Sequence, residues 1–309
     1  MTKEKPYNTL NAYYRHKYGK KVFKVSLDAG FTCPNKDGTA GVGGCTFCSP
    51  SGSGDFAGEK ELPFHTQFHQ VKDMLHEKWD DAYYIAYFQA NTNTYAPVDI
   101  LRQYYDEALS LDPNIVGLAI ATRPDAFNED IYDLLSEFNE KTDLTIELGL
   151  QSIHETTAQS INRGHDLDCF TKAVQELRTR NIDVVVHIIN GFPTETKEDM
   201  LQTIDYVNSL GVQGIKIHLL HIMTNTAMGH DYLKNPFPIL SLPQYVDIVV
   251  AQIERLDPAI ILHRLTGDAP KETLIEPKWS LRKFVVINEI DKALRAKGSY
   301  QGIHYKSPQ

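Results

Sequence analysis

Three of the four cysteines stand close together as Cys33-x11-Cys45-x2-Cys48. A C-x2-C pair lets neighbouring thiolates bind one metal centre. Gly38, Gly41, Gly43 and Gly44 give the intervening loop the freedom to bring Cys33 back to them. Two chemistries fit. A structural zinc site would need a fourth ligand, from Cys169 or from a histidine such as His65. A four-iron cluster held by three cysteines would leave one iron open to a cofactor or substrate. Spacing alone leaves the two at parity. Cys169 lies in an amphipathic helical pattern and reads as a small buried hydrophobe.

Other residues with chemical capacity fall just after apolar runs. They are Gln89-Ala90-Asn91-Thr92-Asn93-Thr94, Thr122-Arg123-Pro124-Asp125, Gln151-Ser152, His187 with Asn190-Gly191-Phe192-Pro193, and His221. The runs before them read as strands: 22–27, 83–88, 115–121, 144–150, 184–189 and 214–219. Helical patterns alternate with them at 66–78, 97–109, 129–139, 154–161 with 169–180, and 196–210. Pro97 ahead of Asp99, and Thr194 and Thr196 ahead of Glu198 and Asp199, mark helix starts. This rhythm predicts an α/β fold, an incomplete (β/α)6 TIM-like barrel, with an open doubly wound sheet as the alternative. In either, the strand C-termini carry the site, so these clusters converge on one ligand. One domain is expected over 1–309. It has a core at 22–222, a basic N-terminal segment 1–21, and an extension 223–309 with a helix at 243–255, a strand at 260–263 and a last helix at 281–297.

The 309 residues are 42% hydrophobic and 23% charged, with a formal net charge of −9. That composition excludes disorder and, with four cysteines, a disulfide-rich secreted scaffold. The polar N-terminus and the lack of a long apolar run predict no membrane span and a cytoplasmic location. The charge is uneven: Met1–Lys24 carries +6, Arg264–Gln309 carries +4 and the middle −19. Such asymmetry hints at a polyanion-binding surface, provided the two basic ends meet as one face near the cysteines. Tyr13, Tyr14, Tyr18, Trp279, Phe284 and Tyr300 would add stacking surface for an RNA loop. The bland alternative packs those aromatics inward against the barrel and leaves the lysines in solvent.

The cysteine triad after the first strand, with Phe47 before its last member, resembles the radical S-adenosylmethionine superfamily. The segments TLNAYYRHKYGKKVFKVSLDAGFTCPN, ATRPD, ELGLQS, INRGH, HIINGFPTET and PKWSLRK extend the likeness over essentially the whole chain. They resemble the YtqA/YhcC-like group, related to the elongator catalytic subunit and coproporphyrinogen-dehydrogenase branches. The resemblance implies an enzyme with a [4Fe-4S] cluster on Cys33, Cys45 and Cys48 that cleaves S-adenosyl-L-methionine to a 5′-deoxyadenosyl radical. It implies cofactor contacts from Gln89, Asn91, Thr92 and Asn93 on the methionine amine, and from Thr122, Arg123, Gln151 and Arg163 on carboxylate and ribose. Leu220 is placed against adenine, and His187 stands where a relative has an acidic ribose ligand. Arg163 as a helix-end ion-pair residue is its competing reading, and His218 reads as a satisfied core histidine ahead of a pocket donor. The implied substrate is tRNA, through conversion of a wobble-uridine carboxymethylaminomethyl side chain to aminomethyl, with a flavodoxin- or ferredoxin-type electron donor. The chain ends at Gln309, so the acetyl-coenzyme-A chemistry of elongator is not expected. The rival readings are radical chemistry on a small metabolite or peptide, and a zinc-stapled RNA-binding protein without catalysis.

Overall fold

The computed structural model describes residues 5–307 apart from 53, 56 and 77–80. Lys3 and Glu4 of the N-terminal charge count, and the end of the helix expected at 66–78, lie outside those residues. The chain begins with α1 (Leu10–Tyr18), β1 (Lys21–Leu27), the one-turn α2 (Pro34–Asp37) and α3 (Phe64–His76). Next come β2 (Ala82–Phe88), α4 (Val98–Ser110), β3 (Ile115–Thr122), α5 (Glu129–Lys141), β4 (Asp143–Gln151), α6 (Glu155–Ser160), α7 (Leu167–Thr179), β5 (Asp183–Asn190) and α8 (Lys197–Asn208). The remainder is β6 (Gly214–Leu219), β7 (Ile222–Met223), α9 (Ala227–Lys234), α10 (Leu242–Arg255), β8 (Ile261–Arg264), β9 (Leu274–Glu276) and α11 (Lys283–Ala296).

Seven parallel strands, in the order β1-β2-β3-β4-β5-β6-β8, form a sheet curled into a half-barrel. The expected incomplete barrel is borne out. The strand expected at 260–263 becomes its seventh member, pairing Gly214 with Ile261. Local chemistry sets the helix boundaries. Thr196 and Asp199 form a reciprocal capping box on α8, while Asn128 and Asp166 cap α5 and α7.

Alternation along the strands separates two faces. One row, including Val25, Leu27, Ala86, Phe88, Leu118, Ile120, Ile146, Leu148, Val186 and Ile217, packs against the helices as the main core. Each Val, Leu, Ile or Phe of that row contributes about 1.5–3 kcal/mol by burial. Between these positions on the same strands stand Lys24, Tyr87, Glu147, His187 and Lys216, which contact one another. Branched aliphatic layers usually fill a barrel interior, so this polar row marks a site.

Helix α1 closes the end of the barrel where the strands begin. Tyr14 packs there with Val22, Ile85 and Ala119, and the Leu262 N–H bonds the Asn8 carbonyl at 2.9 Å. This element was absent from the sequence reading because it is short and polar. Its placement corrects the charge argument. The two basic ends do meet, through Lys5 and Tyr7 on Asp291 and through Asn8 and Gln301. They meet at the strand starts, however, whereas the cysteines follow a strand end. The lysines there pair with the acidic middle of the chain: Lys17 with Asp143 at 2.7 Å, Lys20 with Asp81 at 2.6 Å and Lys24 with Glu147 at 2.6 Å. No helix among the described residues is long and apolar enough to cross a membrane.

Candidate active site

Cys33 is the N-cap of α2, in the loop that follows β1, and the Cys48 N–H bonds the Cys45 carbonyl at 3.0 Å, so the C-x2-C pair is one tight turn. Asn35 fastens this loop to the segment after α6. Its Nδ2 donates to the Asn162 carbonyl at 2.7 Å, while Asn162 Nδ2 donates back to the Gly44 carbonyl at 2.8 Å. Glycine is required around it. A Cβ on Gly164, whose φ is +83°, would lie 2.5 Å from Asn35 Oδ1, and one on Gly41 would lie 2.2 Å from it. The Cys45 thiol is drawn down to about 7 by its hydrogen bond with Cys48, against burial, with help from Arg123 and Asn35. A lowered thiol pKa favours the thiolate, the form of cysteine that binds metals.

All three cysteines line one cavity of about 260 Å³. Gln89, Asn91, Thr92, Thr122, Arg123, Gln151, Arg163, His187 and Leu220 line it too, so five strand ends do converge. Asn93 does not. It is fully buried and donates to the Phe88 and Ala121 carbonyls, tying β2 to β3. Asn91, in the left-handed region at φ +58°, accepts from Lys36 at 3.1 Å. Gln89 accepts from Ser26 at 2.8 Å, and Thr122 bonds Thr94 at 2.6 Å. The Leu220 N–H bonds the Asn190 carbonyl.

The two arginines are already engaged. Arg123 grips Asp125 with a two-pronged contact at 2.8 and 2.6 Å and donates to the Arg163 carbonyl at 2.9 Å. Arg163 is 1% exposed and donates to the Leu150, Ser152 and His165 carbonyls, with Glu155 at 3.4 Å. Its side chain therefore braces the loops under the cysteines rather than presenting an open fork. The competing helix-end ion-pair reading describes only its Glu155 contact.

Below this rim lies the charged row. Glu147 is fully buried in its side chain and accepts from Lys24 at 2.6 Å, Tyr87 at 2.7 Å, His187 at 2.9 Å and Lys216. Despite burial, Lys216 and Lys24 hold its carboxyl well below the usual range. Burial, with Lys24 and Arg264 nearby, pushes Lys216 down to about 7 against the pull of Glu147. His187 falls to about 4 through burial and Lys216. His218, read as a satisfied core histidine, lines the cavity with a buried Nε2 that has no partner, as does His221. Glu147, Lys216, Lys24 and Tyr87 were missed by the sequence reading. The signal was available in IEL and IKIHL, where charge interrupts apolar alternation on buried strands.

The donor set bears on the metal. Neither Cys169 nor His65 lines the cavity, so neither supplies a fourth zinc ligand there. Cys169 is half-buried in the first turn of α7, not fully buried as expected, and burial raises its thiol. Among the described residues, no three His, Cys, Asp or Glu donors group around a single-ion position. Three thiolates on one cavity suit a cluster, in which each binds a different iron. The orphaned Thr92 Oγ1, Gln151 Oε1, His218 Nε2 and His221 Nε2 suit a polar organic ligand beside it.

Comparison with known proteins places the chain in context. A family model described as the radical SAM superfamily matches residues 37–207, and one described as the radical SAM C-terminal domain matches 212–296. YtqA of Bacillus subtilis is 52% identical over 97% of this chain and 92% of its own length. YhcC of Escherichia coli K12 is 37% identical over 96% and 95%. A tRNA-2-methylthio-N(6)-dimethylallyladenosine synthase of Fusobacterium nucleatum is 25% identical over 59% of this chain and 42% of its own length. Among solved structures, Elp3 of the archaeon Methanocaldococcus infernus superimposes with a TM-score of 0.69 at 16% identity. That match covers 91% of this chain and 64% of the archaeal one.

Proposed function

The chain belongs to the radical S-adenosylmethionine superfamily, and from that premise we propose a tRNA-modifying enzyme whose Cys33, Cys45 and Cys48 hold a [4Fe-4S] cluster. The observation that carries the reading is the meeting of these three thiols with orphaned polar atoms from several strand ends in one cavity. When bound, the cluster and S-adenosyl-L-methionine supply a 5′-deoxyadenosyl radical for hydrogen abstraction, with an electron from a flavodoxin- or ferredoxin-type donor. The chain's own residues do the rest. Asn35, Asn162 and Arg163 set the cysteine loop, while Thr92, Thr122, Gln151 and the Leu220 backbone orient the cofactor. The buried row under them excludes water from the reacting centre.

A tRNA substrate is supported by a relative whose own name carries tRNA modification. The step is oxidative removal of the carboxymethyl group from a wobble-uridine carboxymethylaminomethyl side chain: the methylene between nitrogen and carboxylate would lose a hydrogen atom and then an electron, returned to the cluster, and water would split the resulting imine into the aminomethyl side chain and glyoxylate. Comparison of tRNA nucleosides by mass spectrometry, with and without the gene, tests it. Accumulation of the carboxymethylaminomethyl form supports the reading, and an unchanged wobble profile removes it. In purified, anaerobically reconstituted protein, Cys33→Ala, Cys45→Ala or Cys48→Ala should abolish 5′-deoxyadenosine formation while Cys169→Ala retains it. Stoichiometric zinc, with no iron taken up, would favour the zinc-stapled alternative.

A further inference from the structure

Strands β6 and β8 bring two cations side by side. Lys216 and Arg264 are cross-strand partners after a register shift between Ile215 and Lys216, and both line the cavity. Like charges opposite one another repel; Lys216 is buried, while Arg264 is 34% exposed at the cavity. Compensation is unequal. Lys216 has Glu147, but that carboxylate already serves Lys24, Tyr87 and His187. Among the described residues, Arg264 has a single, long ion pair, 3.7 Å to Asp268, a carboxylate that Lys283 holds at 2.6 Å.

Around these cations stand neutral donors. His218 follows Lys216 by two residues on the same strand face, with its ring centroid 5.2 Å from that of His187. A Cβ on Gly267 would come within 3.2 Å of the His221 ring and 3.6 Å of the His218 ring, so glycine keeps an opening between the two imidazoles. Both imidazoles carry a buried Nε2 without a hydrogen-bond partner among the described residues. Three lysines (Lys24, Lys216, Lys283) and Arg264 thus share two carboxylates (Glu147, Asp268), with the two imidazole Nε2 atoms nearby.

We propose that Arg264, His218 and His221, backed by Lys216, form a subsite that receives a carboxylate of the substrate. The inference rests on the tRNA reading, in which the group removed is a carboxymethyl. It adds that this carboxylate is recognised by charge, through Arg264, before the group is lost. A guanidinium suits a carboxylate through paired charge-assisted hydrogen bonds, and neutral imidazoles add donors without adding charge. The methionine carboxylate of the cofactor offers the same chemistry, so the test separates the two sources.

Holoenzyme would be titrated anaerobically, without reductant, with two anticodon stem-loop RNAs. One carries carboxymethylaminomethyluridine at the wobble position and the other its carboxamide analogue. Wild type should prefer the carboxylate roughly 10- to 100-fold, the range for a charge-assisted contact. Arg264→Gln should lose most of that preference, and Arg264→Lys should recover part of it. S-adenosyl-L-methionine affinity would be measured on the same proteins without RNA. Equal binding of the two RNAs by wild type, or a preference that survives in Arg264→Gln, overturns the subsite. So does an Arg264→Gln variant that loses cofactor affinity and keeps the RNA preference, which assigns the anion to the cofactor. Any of these can occur while cells still require the gene to remove the carboxymethyl group, so the subsite can fail with the tRNA reading intact. An unchanged wobble profile instead removes that reading and this occupant together.

Discussion

Asn35 joins segments 127 residues apart, and nothing in its local sequence announces that duty. Gly164 stands against it at φ +83°, so Gly164→Ala meets both a strained backbone and the Asn35 side chain. A loss on the order of 1–3 kcal/mol is expected from strain of this kind. The variant should unfold at lower temperature and retain less iron per chain than wild type; unchanged iron retention would mean that Asn35 does not set the loop. The buried histidines predict acid sensitivity. His187 and His221 are each pushed down to about 4 by burial, from 6.5. Between those values the unfolded chain binds protons that the folded one refuses. Stability from this source is therefore full above pH 6.5 and is lost as pH falls toward 4. Thermal unfolding followed across that window should show the decline, and His221→Asn should make it shallower while His187 still contributes. Cys33, Cys45 and Cys48 were legible because thiol spacing is local. Lys216 and Glu147 were hidden because each looked like one polar residue in an apolar strand, and their partners lie on other strands.

At the scale of elements, the main strands and helices were readable because the outward row of each strand is apolar and each helix carries one buried stripe. Thr196, Asn128 and Asp166 also mark helix starts by chemistry that acts within three residues. Helices α1 and α9 lacked such patterning, and their positions depend on what they cover. Tyr14 is the anchor of α1, 6% exposed in the core at the strand starts. Tyr14→Ala should cost roughly 3–5 kcal/mol, the range for aromatic truncation in a core, read as a lowered denaturant midpoint. A change within a few tenths of a kcal/mol would mean that α1 lies on the barrel without sealing it.

For the whole molecule, the net charge of −9 divides differently in space than along the chain. Lys20 and Lys17 are absorbed by Asp81 and Asp143 at the closed end, and Lys24 by Glu147 inside the cavity. A different basic and aromatic patch adjoins Asp268. Lys283 pairs with Asp268, which lines the cavity, and beside it Phe284 is 80% exposed, with Arg282 adjacent in sequence. Under the tRNA reading, Phe284→Ala and Arg282→Glu should weaken tRNA binding several-fold, whereas Lys17→Glu and Lys20→Glu should leave it near wild type, measured by titration at fixed salt. The reverse order would return the RNA face to the N-terminus. By itself the sequence determined the thiol triad, the strand–helix rhythm and the strand-end clusters, because each is written within a few tens of residues. Only the tertiary structure decided which of those residues share the cavity, that Asn93 and Arg163 brace it, and that Lys216 stands beside Arg264. These facts depend on strand register and on how the sheet curls, which bring together side chains from distant parts of the chain.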